Sequence, residues 1–116
     1  MKLKALAPLG VAAGIAMTMV ATAAPAMAYV ADYETYTVAS SVSLRSCAHT
    51  SCTRYALINP QGAAVDLKCW VHGDLVNGRD NIWYRGYWMG SGYPEGYMPG
   101  EYLATGYDPN PSVAPC

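Results

Sequence analysis

CWVHGDLVNGRDNIWYRG, Cys69 to Gly86, decides how the rest of the chain is read. Asn77-Gly78 is a tight-turn dipeptide, because both residues tolerate positive φ. Apolar and aromatic residues lie on both sides of it. The stretch therefore predicts a hairpin: a strand to Trp70, a loop through Asn77-Gly78, and a strand from Ile82. It also holds a cysteine, a histidine and two acids, so chemistry has to be weighed against packing.

Outward from this hairpin the chain keeps the same character. SSVSLRS alternates, Val42 and Leu44 on one face and Ser43 and Arg45 on the other. RYALI, Arg54–Ile58, is a second run, closed by the turn-like NPQG. AVDLK sets Val65 and Leu67 against Asp66 and Lys68. NIWYRGYWM is an aromatic strand, GSGYPEG a loop, and YMPGEYL a short strand or a single helical turn. No sustained helical period occurs after residue 28. Short runs with Gly/Pro punctuation predict an all-β fold, a small barrel of about five to seven short strands.

The ends are of a different kind. MKLK, an uncharged apolar run and the small-residue site Ala26-Met27-Ala28 form an export signal over residues 1–28. Residues 29–39 read as a weakly ordered lead-in, 40–104 as the barrel, and 105–116 as a proline-rich tail. Without the signal the chain has 88 residues, five basic and eight acidic, a net charge of −3. That balance argues against nucleic acid, which needs clustered Lys and Arg. No basic amphipathic helix is present to hold a membrane surface. The expected location is outside the cell, free or associated with the cell wall.

All four cysteines, Cys47, Cys52, Cys69 and Cys116, follow the signal. An even number in a small exported chain predicts a disulfide framework, for which four cysteines allow three connectivities. Each cross-link would contribute about 2–4 kcal/mol, mainly by restricting the unfolded chain. Cys47, His49 and Cys52, with Cys69 or His72, have the ligand types of a zinc site. The absence of a C-x-x-C pair and the oxidising destination favour cross-links instead, and no metal or other cofactor is expected. A cysteine nucleophile would need a free thiol beside a histidine. No nucleophile turn of the G-x-S-x-G kind occurs, and no pair of acids stands out as an acid/base couple. The chain is not expected to be an enzyme.

The aromatics carry more information. Of ten Tyr and three Trp, eight fall between Trp70 and Tyr102, and there is no Phe. Neighbouring residues on a strand point to opposite faces, so Trp83 and Tyr84 cannot fill one core, nor can Tyr87 and Trp88. Part of the set is then expected at the surface or in a groove. Rings with polar handles suit such places.

SVSLRSCAHTSCTRYALI, AVDLKCWVHGDLVNGRDNIWYRG and GYMPGEYL, taken in this order, resemble the bacterial SH3-like (SH3b) domains, above all single-domain exported versions from actinobacteria. The likeness runs from Val42 to Leu103. It implies a small barrel used as a binding module for cell-wall peptidoglycan or its peptides. It also implies that Cys47 pairs with Cys52, and Cys69 with Cys116, which straps the tail across the barrel. The loop YWMGSGYPE is longer and more aromatic than the family pattern. Trp83, Tyr84, Tyr97, Tyr102 and Trp88 are the expected ligand contacts. The alternative is a secreted protein-binding or inhibitory factor that uses the aromatic loop 87–96.

Overall fold

A computed structural model describes residues 28–116; the expected export signal, all but its last residue, lies outside the described residues. Seven strands follow one another: β1 Tyr33–Tyr36, β2 Val42–Arg45, β3 Arg54–Ile58, β4 Ala64–Val76, β5 Asp80–Trp88, β6 Gly96–Pro99 and β7 Ala114–Pro115. A single 3-10 turn, Gly100–Tyr102, follows β6. The described residues contain no α-helix, so the all-β expectation holds.

The strands form one sheet in the order β1-β4-β5-β6-β2-β3. Every pair along this path is antiparallel. β4 is long enough for two partners on one edge, with β1 beside Ala64–Leu67 and β7 running parallel beside Cys69 and Trp70. The sheet curls into a half-barrel. Thr37 bridges Leu103, and the Ala104 N–H donates to the Tyr36 carbonyl at 2.9 Å, covering the outer side of β1. Curling needs close backbone approach where Gly86 pairs with Gly96. A Cβ on Gly86 would lie 2.1 Å from the Asp66 carbonyl oxygen.

The hairpin forms around Asn77 (φ 54°) and Gly78 (φ 66°), closed by the Arg79 N–H on the Val76 carbonyl at 3.1 Å. Its strands are longer than the sequence suggested, because β4 continues past Trp70 to Val76 and β5 begins at Asp80. A register shift between His72 and Val76 absorbs the polar stretch. The lead-in is also more regular than expected. Tyr33–Tyr36 is a strand, because β4 offers it an edge on which Tyr33 and Thr35 turn inward.

Core formation explains the aromatics. The inner face gathers Leu44, Ile58, Val65, Leu67, Tyr84 and Met98, among others, around the period-2 positions read from the sequence. The outer face of β5 has a second, smaller core: Trp83 with Ala48 and Val76, flanked by Val71, Tyr97 and Tyr102. Trp83 Nε1 donates to the Asp74 carbonyl at 2.9 Å. Gly73 makes room, since a Cβ there would sit 2.7 Å from the indole. Trp83 and Tyr84 are thus both fully buried, one in each core.

Replacing Trp83 with Ala is expected to cost about 3–5 kcal/mol of stability, the range for a buried large-to-small change. A urea midpoint close to that of the wild type would contradict the second core.

Candidate functional site

The structure separates the five aromatics expected to meet a ligand. Trp83 and Tyr84 have no exposed surface, so neither ring is available for contact; the expectation fails because two cores exist where the sequence suggested one. Trp88 is half-buried and stacks on Tyr93, ring centroids 5.9 Å apart and planes within 5°. The Ser91 hydroxyl holds the loop by donating to the Trp88 carbonyl at 2.7 Å. Tyr102 lies in the 3-10 turn against both cores. Tyr97 is half-buried on the outer face and leans on the Trp83 cluster. Trp83, Tyr97 and Tyr102 thus gather at the outer-face core, Tyr84 lies in the main core, and Trp88 stands with Tyr93.

The cysteines are joined as the family likeness implied. Cys47 pairs with Cys52 (Cα–Cα 5.6 Å), and Cys69 with Cys116 (Cα–Cα 4.8 Å). The first link closes the loop that lays Ala48 on Trp83. Asp74 clamps the same loop, accepting from the Thr50 N–H at 2.7 Å and pairing with His49 Nδ1 at 2.8 Å. Those contacts, His49 first, hold the Asp74 carboxyl below its ordinary range. Among the described residues no group of three or more His, Cys, Asp or Glu is placed to hold a metal.

An open cleft of about 460 Å³ lies between the hairpin turn, the 3-10 turn and the tail. Its walls include Arg79, Asp80, Glu101, Thr105, Tyr107 and Asp108. Here tertiary structure unites two acids that the sequence holds far apart. Asp80 and Asp108 line the same cleft, and burial first, then Asp108, pushes Asp80 up to about 6. Asp108 Oδ1 accepts from the Tyr84 hydroxyl at 2.7 Å and from Thr105 Oγ1 at 2.6 Å. Tyr84 in turn accepts from the Asn110 N–H at 2.8 Å, and burial first, then Asp108, raises its phenol above the ordinary value. Glu101 is held low by Arg79 and then Asn77. Through its bond to Tyr84, Asp108 latches the tail to the barrel, a role invisible in the sequence because it joins β5 to a segment past residue 104.

Three arginines form the other notable grouping. Arg85 on β5 and Arg45 on β2 are both register partners of Tyr97 on β6, and Arg45 is in turn the partner of Arg54 on β3. Arg45 and Arg85 fall on the polar phase of their strands, whereas Arg54 shares the phase of the buried Ala56 and Ile58 and is brought opposite Arg45 by a register shift between Leu44 and Arg45. Their alignment depended on strand order, and no local signal shows it.

No family model, curated protein or solved structure matches the chain. The class that the structure defines is a small all-β domain, one curled seven-stranded sheet with two disulfides. Disulfides suit an oxidising environment. Among the described residues no helix is long and apolar enough to cross a membrane.

Asp80 keeps a proton in the folded state that the unfolded chain releases above its ordinary value of 3.8. Its stabilising contribution is full below that value and is lost as pH rises through about 6. Urea unfolding across this window is expected to show falling stability, and Asp80→Asn to flatten the slope. An unchanged slope in Asp80→Asn would refute the proton held on Asp80.

Proposed function

We propose that this chain is an exported, non-catalytic binding module of the SH3b kind that acts on cell-wall peptidoglycan or its peptides. The order of the strand motifs, the small curled sheet and the two cross-links all support that reading. The observation that carries it is the outer face. After two cores have taken Trp83 and Tyr84, Tyr97 still stands half-exposed on β6 between Arg45 and Arg85. Trp88 and Tyr93 form a second aromatic surface. Half-exposed rings with polar tips are suited to saccharide and peptide contact. Purified peptidoglycan should retain the wild type in sedimentation and release it after Tyr97→Ala. Absence of wild-type retention, or full retention by a folded Tyr97→Ala variant, sinks the proposal.

The Trp88–Tyr93 stack favours a second reading, a secreted protein-binding or inhibitory factor. Tyr93 is 48% exposed at the tip of loop 87–96, and such rings anchor protein interfaces. Under this reading Tyr93→Ala abolishes partner capture and leaves wall retention intact.

A further inference from the structure

We infer that the transverse row Arg54–Arg45–Tyr97–Arg85 is a docking strip for an extended peptide bearing at least two carboxylates. This deepens the binding-module reading by naming the chemistry of its ligand, and it rests on that reading for the face involved.

Register partners on neighbouring strands project from the same side of a sheet. The row therefore places Arg54, Arg45, Tyr97 and Arg85 along a line crossing β3, β2, β6 and β5, with a register shift between Leu44 and Arg45 setting Arg54 opposite Arg45. With strands about 4.8 Å apart, the line from Arg54 to Arg85 spans about 14 Å. An extended peptide presents side chains on one side about every 7 Å. Two or three acidic side chains at alternate positions therefore match its length.

Charge distribution supports the assignment. The described chain is acidic overall, yet three of its five cations stand in this one row. The other two are taken up, Lys68 by Asp32 and Asp66 and Arg79 by Glu101. In the row, Glu95 lies 3.6 Å from Arg85 at one end, while Arg45 and Arg54 enter no ion pair among the described residues. Directly opposed like charges destabilise a sheet, so Arg45 beside Arg54 is a local cost that an anionic partner offsets. The Arg45 guanidinium is oriented by its Nη1, which donates to the Cys52 carbonyl at 3.0 Å. Arg85 Nε is buried and faces Glu95 Oε1, while the side chain as a whole is 44% exposed. Tyr97 between the arginines offers a ring face for the linker between two carboxylates. Three cations are too few for a nucleic-acid track, and arginine forks match carboxylates two-pronged.

The test uses the blocked peptide Glu-Ala-Glu-Ala-Glu, its Gln-Ala-Gln-Ala-Gln counterpart and inorganic tripolyphosphate, with binding followed by titration calorimetry at low and high salt. The acidic peptide should bind, weaken with salt, and exceed the glutamine peptide and tripolyphosphate. Arg54 is exposed and opposes Arg45, so Arg54→Gln should fold with a melting temperature no lower than the wild type's and bind about tenfold more weakly, the loss of one charge-assisted contact. Arg79→Gln removes the same charge outside the row and should bind like wild type. Equal binding of both peptides, equal loss in Arg79→Gln, or preference for tripolyphosphate overturns the strip. Wall retention without acidic-peptide binding would sink the strip and spare the module; peptide binding without wall retention would do the reverse.

Discussion

Strand β5 is buried on both faces at Trp83 and Tyr84, and the rest of the molecule is arranged to make that possible. Tyr84 points into the main core and Trp83 into a smaller one behind it. A single curled sheet has only one concave side, so the second side must be roofed by something else. The roof is the loop closed by Cys47–Cys52, held down on the hairpin by Asp74. Gly73 is required beneath it, because any side chain there would meet both Ala48 and the indole.

The inner face faces a related difficulty. Tyr84 brings a hydroxyl into a fully buried position, where an unpaired polar group is costly. The tail resolves this by supplying both an acceptor, Asp108, and a donor, the Asn110 N–H. Asn110 then ties Thr105, Ser112 and Tyr33 together, and Val113 fills the core. Residues 105–116 are therefore structural, and the Cys69–Cys116 link adds to an anchorage that polar contacts already provide. The raised Asp80 beside it makes that anchorage weaken as pH rises through about 6.

With the interior satisfied by Trp83 and Tyr84, recognition falls to the periphery. The outer face divides into three zones along β5: the Trp83 core, the arginine–tyrosine row, and the Asp66–Lys68–Tyr87 cluster. In that cluster Lys68 answers Asp32 and Asp66 and lies over the Tyr87 ring at 5.3 Å. Charges in the first and last zones are internally matched; those in the middle are matched only at the Glu95 end.

The all-β class, the Asn77-Gly78 turn, and the inward phase of Val42, Leu44, Val65 and Leu67 were determined by sequence alone. Each depends on period-2 alternation or on a residue's own φ preference, which are local properties. Tertiary structure decided what Trp83 and Tyr84 do, since alternation says that they part but not that both sides are covered. It also decided that Tyr33–Tyr36 is a strand, that Asp80 and Asp108 line the same cleft, and that Arg45, Arg54 and Arg85 share a row. These outcomes depend on which strand edges pair and how the sheet curls. Such pairings join residues tens of positions apart, and a one-dimensional pattern holds no distance information for them.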